Sequence, residues 1–367
     1  MTAAQLQWQT LAVLALAFAT SVGLGGLLHR THFCAMGAVS DWLLMGNTQR
    51  ARQWALAVAV ATLGFALLML SHGISPLHTI YNTSRWPWLS LALGGLLFGV
   101  GMVLASGCAS KALVRLGAGN LKSLVVLMAM GMAALATLRG LPAVWRVQLV
   151  ERVDAAWGWG PFASQWLAHV SGWSLPAAAL VMACLVALGL GLWAMAQRSF
   201  WTAANLGAGV GVGLMAVLLW WGSGVLGWVP EHPETLESVF LTTASGRMES
   251  MSFVGPVGFW LDGFLYYSDG TKRVNFGMAM LPGVVLGSAL SAWRSGTFRW
   301  EGFTRTADLT RHLVGGVLMG VGGVMALGCT FGQGLSGLST LNLGSLLASA
   351  CIVLGAVLTL KWQMAHD

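Results

Sequence analysis

The sequence predicts an all-α polytopic membrane protein, with about nine transmembrane helices plus short re-entrant helices arranged as two inverted repeats. Three observations carry that prediction. Of 367 residues, 56% are hydrophobic and only 8% are charged, against about 25% charged in ordinary soluble domains. Apolar runs at 11–28, 54–70, 175–195 and 343–360 approach or reach the roughly 20 residues that cross a bilayer as a helix. A glycine-rich segment ending in cysteine also occurs twice, 221 residues apart.

Taken in order, the first span is 8–28. No Lys or Arg precedes it and no small-residue cleavage site follows, so it reads as a retained span and not as a signal peptide. Further spans are expected at 54–71, 89–106, 121–138, 175–195, 202–221, 274–293, 312–327 and 343–362. Between them, 32–46, 108–116, 251–267 and 329–338 are apolar but too short or too glycine-broken to cross. Non-helical backbone at membrane depth needs protein or a water-filled cavity to satisfy it. These four segments therefore read as re-entrant half-helices. Trp86, Trp88, Trp157, Trp159, Trp220, Trp221 and Trp228 fall at span ends and read as an interfacial belt.

Nine spans put the termini on opposite sides. Loops 29–53, 107–122, 196–201 and 294–311 with the C-terminus carry 12 Lys and Arg. The other side carries 7, together with 8 of the 12 acidic residues, among them Glu231, Glu234, Glu237 and Glu249 in what reads as a solvated loop. Cytoplasmic loops are enriched in Lys and Arg, so the N-terminus is expected outside and the C-terminus inside. The net charge of +7 is explained by this asymmetry, because the cations are scattered over loops and form no nucleic-acid patch.

The repeat is the most specific signal. Residues 93–108 (LGGLLFGVGMVLASGC) and 314–329 (VGGVLMGVGGVMALGC) agree at ten of sixteen positions, including five glycines and the terminal cysteine. The same offset maps 54–71 onto 275–292 and 121–138 onto 342–359. An offset of five spans is odd, so the halves should be inverted, a recurrent transporter architecture. The chain is read as one integral membrane domain, with a first repeat over 1–140, a periplasmic loop and linker helix over 141–200, and a second repeat over 201–367.

Five cysteines, widely spaced and without a CxxC pair, give no disulfide framework and no zinc signature. Cys184 and Cys351 sit inside ordinary apolar spans and read as small fillers. Cys108 and Cys329 each follow a glycine-dense span directly, and Cys34 lies in a polar surround of Arg30, His32 and Asp41. A half-helix starting at such a point would aim its positive end at an anion, and a thiol suits a soft sulfur-containing ligand. Gly101, Gly107, Gly322 and Gly328 belong to the duplicated motif, and Gly37 lies in the Cys34 segment, whose repeat counterpart to Cys34 is Gly255. Lys111 and Arg115, one and two turns past Cys108, either draw an anion inward or serve as topology signals. His29 and His32 lack partners at ligand spacing, so no metal is expected, and neither a cofactor nor a catalytic residue is read from the sequence.

The segment His32-Phe33-Cys34-Ala35-Met36-Gly37-Ala38-Val39-Ser40-Asp41, followed by Gly46 and residues 50–54, resembles the opening motif of the YeeE/YedE sulfur-transport family. The Gly-Cys segments at Cys108 and Cys329 resemble that family's other cysteine motifs, and Asn275-Phe276-Gly277 with Gly283 and Gly287, then Phe298-Arg299, is similar to its second half. The resemblance implies thiosulfate uptake across a bacterial inner membrane, the ion passing along Cys34, Cys108 and Cys329 by S–H···S contacts. It also implies a cytoplasmic sulfur-carrier or sulfurtransferase partner, and leaves open another sulfur or selenium species. A membrane thiol or persulfide redox protein is the competing expectation.

Overall fold

The computed structural model describes residues 2–156, 158–233, 236–269 and 273–366. Trp157 and Glu234 of the readings above lie outside the described residues. The chain folds as α1 (Ala3–Thr31), α2 (Ala35–Met45), α3 (Gln49–His72), α4 (Trp88–Leu104), α5 (Ala109–Gly117), α6 (Leu121–Arg139) and α7 (Leu141–Trp145) in its first part. Then follow α8 (Ala163–Ser171), α9 (Leu175–Met195), α10 (Ala203–Trp221), α11 (Val254–Leu265), α12 (Phe276–Arg294), α13 (Thr306–Met325) and α14 (Leu343–His366). A two-residue antiparallel ribbon, Trp228–Val229 against Val239–Phe240, is the only sheet among the described residues.

Among the described residues, eight helices are long and apolar enough to cross a membrane. The ninth expected span, α13, has the length at 20 residues, but Asp308, Arg311 and His312 in its first two turns dilute its apolar character. The four segments read as re-entrant are all short helices. Three are α2, α5 and α11, and the fourth is a helical stretch over 330–339 that widens into a π-turn at Gly332–Gly337.

Helix contacts repeat in exchanged pairs. α4 packs on α14 as α13 packs on α6, and α1 packs on α12 as α10 packs on α3. The two duplicated helices, α4 and α13, meet each other through their glycines. A Cβ on Gly101 would stand 2.7 Å from the Gly315 carbonyl, and one on Gly322 would stand 2.6 Å from the Gly94 carbonyl. Gly94 and Gly315 are repeat equivalents, as are Gly101 and Gly322, so each equivalent residue touches the other's partner. That reciprocity marks a two-fold relation. Because contact position rises along one helix as it falls along the other, the pair is antiparallel, as inverted halves require. Small residues let such backbones approach closely in a membrane.

The loops sort onto two faces as the span count requires. Isolated bridges join Thr79 to Met248, Trp86 to Ala155 and Phe162 to Asn342 on the N-terminal face. Asn120 pairs with Glu301 on the C-terminal face. One tryptophan departs from the expected belt. Trp220 is fully buried, its indole N–H donating to Ser339 Oγ at 3.0 Å with the rings of Phe65 and Tyr81 against it. The helix does not end there but runs on through a π-turn, Gly222–Leu226, which keeps Trp220 inside the bundle.

Candidate functional site

Each of the three cysteines sits at the same local construction. Two residues before it, a non-glycine residue turns left-handed: His32 (φ 52°), Ser106 (φ 56°) and Leu327 (φ 55°). A left-handed residue closes a helix, so α1, α4 and α13 stop there and the chain is redirected. Cys34 and Cys108 then become the N-cap residues of α2 and α5, and Cys329 directly precedes the 330–339 helix. The Gly37 N–H donates to Cys34 Sγ at 3.4 Å, and the Gly332 N–H donates to Cys329 Sγ at 3.5 Å. Cys108 Sγ lies 3.2 Å from Ser110 Oγ. Three sulfurs thus stand at the positive ends of short helices, where orphan backbone N–H groups and the dipole favour negative charge.

All three are buried: Cys34 is 3% exposed, Cys108 and Cys329 0%. The thiols of Cys34 and Cys108 are direct neighbours. The Thr330 side chain lies beside the Cys108 thiol, one residue from Cys329. The rings of Phe33 and Phe331, each near a cysteine in sequence, pack at 5.9 Å, and Trp54 and Phe253 complete an apolar wall against Phe331 at 5.1 and 5.4 Å. Cys184 and Cys351 are not part of this cluster. Cys184 is exposed on α9, Cys351 lies in α14, and no cysteine forms a disulfide.

Cavities open toward the cluster from both faces. On the C-terminal face a cavity of about 200 Å³ is lined by Cys34, Lys111, Arg115, His29 and His32. Arg115 donates to the Ser106 carbonyl at 3.1 Å, which ties it to the turn carrying Cys108. On the N-terminal face a cavity of about 530 Å³ is lined by Gly255, Gly328, Ser252, Asn275, Arg247 and Glu249. Glu249 therefore departs from the solvated loop of which it is part by sequence. Its Oε1 accepts from the Ser245 N–H at 2.9 Å and the Ser245 hydroxyl at 2.6 Å, a local turn that folds the carboxylate inward.

The glycines divide by role. Gly255 and Gly328 line the N-terminal cavity. Gly37 donates to sulfur, and a Cβ on it would meet the Arg50 side chain at 2.7 Å. Gly107 is closed over by the Lys111 chain, 2.8 Å from where its Cβ would stand. Gly101 and Gly322 are packing residues of the α4–α13 crossing and line neither cavity. Ser110, Thr330, Phe331 and Glu249 join the site without having been singled out by sequence. A place one or two residues past a cysteine that opens a short helix is the signal that could have found the first three. Among the described residues no group of three or more His, Cys, Asp and Glu is arranged to hold a metal ion.

The profile of the family described as "Sulphur transport" matches residues 30–358. Among curated relatives, the thiosulfate transporter TsuA of Escherichia coli K12 is 29% identical over 335 residues, covering 85% of this chain and 84% of that protein. The thiosulfate transporter TsuA of Spirochaeta thermophila is 28% identical over 357 residues, covering 93% and 94%. The probable transporter YedE of Escherichia coli K12 is 35% identical over 96 residues, 26% of this chain and 22% of its own.

Proposed function

The chain belongs to the sulphur transport family, and on that premise we propose that it carries thiosulfate or a related sulfur anion inward across the bacterial inner membrane, along Cys329, Cys108 and Cys34. One observation carries the reading: three buried thiols at helix N-termini lie between cavities on opposite faces. The reading takes the halves as 1–140 and 201–367, joined through 141–200.

The chemistry follows from the ion. A dianion leaving water for hydrocarbon faces a large penalty. Fixed backbone N–H groups at the three helix starts offset part of it, and Lys111 and Arg115 at the C-terminal cavity supply positive charge. A thiol is a weak donor, so each S–H···S contact holds the ion briefly. Weak sequential sites are what conduction requires, because a tight site would trap its occupant. No bond to the protein forms or breaks. On emerging beside Cys34 the ion reaches a face where a sulfur-carrier or sulfurtransferase protein would receive it.

The nearness of the Cys34 and Cys108 thiols favours a second reading, a thiol or persulfide redox protein. Growth on thiosulfate as sole sulfur source, in a strain lacking other uptake routes, separates the two. Cys108→Ala is expected to abolish growth while Cys184→Ala grows as wild type. Equal growth of both variants would sink the relay. A Cys34–Cys108 disulfide or a stable persulfide trapped during turnover would favour the redox reading.

A further inference from the structure

Beside the Cys108 thiol, one residue on from Cys329, stands a buried hydroxyl whose facing group is sulfur and not a strong acceptor. Thr330 is 4% exposed, and its Oγ1 closes no hydrogen bond of standard geometry, the polar group it faces being the Cys108 thiol, a weak acceptor. Buried polar atoms are nearly always satisfied, so an orphan needs an explanation. Packing does not provide one, since valine has the same shape without the desolvation cost of the hydroxyl. Helix capping does not provide one either, because the neighbouring backbone N–H of Gly332 is taken by the Cys329 sulfur. Thr330 also borders a cavity of about 290 Å³ walled by Ala35, Val58, Leu338 and Ile352. The polar groups that share this mostly apolar lining, Ser349 Oγ and Trp54 Nε1, close no bond with it and are themselves unpartnered among the described atoms.

The thiols leave one part of the proposed cargo unserved. Thiosulfate has a soft terminal sulfur and hard sulfonate oxygens. Thiols match the first, whereas the oxygens call for O–H or N–H donors. On the Cys108 side, Ser110 is already engaged with sulfur at 3.2 Å. We propose that Thr330 is a specificity-determining residue of the pathway, its hydroxyl donating to a sulfonate oxygen of the anion as the terminal sulfur passes from Cys329 to Cys108. This rests on the transport reading above. It assigns the central step two contacts of different chemistry, soft to the sulfur and hard to the oxygens, so that an anion lacking either end is held less well.

The test is uptake of radiolabelled thiosulfate into proteoliposomes by wild type, Thr330→Val, Thr330→Ser, Cys108→Ala and Cys329→Ala, with thermal melting of each in detergent. Thr330→Val is expected to lose roughly ten- to a hundredfold in rate, the worth of one hydrogen bond to a charged group. Its melting temperature should hold or rise, because an unsatisfied buried hydroxyl has been removed. Thr330→Ser should recover most of the rate. Wild-type uptake by Thr330→Val alongside inactive cysteine variants would overturn this assignment and leave the transport reading standing. Uptake at wild-type rate in both cysteine variants would overturn the cysteine relay on which this assignment rests, and the assignment with it. A lowered melting point in Thr330→Val, with no recovery in Thr330→Ser, would make Thr330 structural and remove it from the pathway.

Discussion

At the scale of single residues, the charge that would meet an anion on the proposed inward route is set by Glu249 and Arg247, which share the N-terminal cavity. Burial raises the Glu249 carboxyl above its ordinary value. Above the raised value it is an anion facing a dianion, and below it the group is neutral while Arg247 stays cationic. As pH falls through that window, uptake at subsaturating thiosulfate should therefore rise. Glu249→Gln should sit at the high-rate limit and show no such rise. A pH profile of proteoliposome uptake for both proteins checks this, and a Gln variant that keeps the acid stimulation would remove Glu249 from the admission step. The sign is the same for stability, since a raised carboxyl favours the folded state at low pH and loses that contribution as pH climbs through it. Cys108 and Cys329 were legible in the sequence because a rare residue closed a sixteen-residue duplication, and Cys34 through its polar surround and the family resemblance. Glu249 was not legible, because its inward turn depends on Ser245 bonds that leave no trace in composition. Thr330 was hidden for a related reason: its surroundings exist only once α2, α3 and α14 have packed around it.

At the scale of elements, the recurring unit is a long helix, a left-handed residue, one more residue and a cysteine that starts a short helix. Apolar windows placed the long helices to within about six residues at their ends and marked the four short helices read as re-entrant, but did not anticipate the short α7 and α8 of the intervening loop. They could not supply the left-handed turn, because Ser106 and Leu327 are ordinary in type and only Cys108 and Cys329 two residues on mark their place. Leucine at positive φ is an outlier, and such backbone costs of order 1–3 kcal/mol. Leu327 is 37% exposed, so replacing it removes little packing. Leu327→Gly should fold with near-unchanged stability, relief of strain being offset by the greater chain entropy of glycine. Leu327→Val, β-branched and stiffer, should lower stability by about 1–2 kcal/mol. It should also slow uptake, although it touches no thiol, by shifting the start of the 330–339 helix. Melting and uptake measured on the pair decide the matter. A valine variant that equals the glycine variant in both would show that the turn does not position Cys329.

At the scale of the whole molecule, the two-fold relation makes the route nearly symmetric, and direction has to come from what breaks the symmetry. Cys34 has Gly255 as its equivalent, so one end of the route carries a thiol and the other a widened cavity. The cavities differ in charge in the same sense, with Lys111 and Arg115 beside Cys34 and an Arg247–Glu249 pair beside Gly255. Which end faces the cytoplasm is carried by the loops, where 12 of 19 Lys and Arg lie on the C-terminal face. By the positive-inside rule we propose that the C-terminus faces the cytoplasm and the large cavity the outside. A reporter fused after the final helix should behave as cytoplasmic, fluorescing as a green fluorescent protein and remaining inactive as an alkaline phosphatase. A phosphatase inserted within 158–162 should be active. The opposite pattern would reverse the route, placing Cys34 at the outer end, and would turn the same chain of contacts from uptake into export.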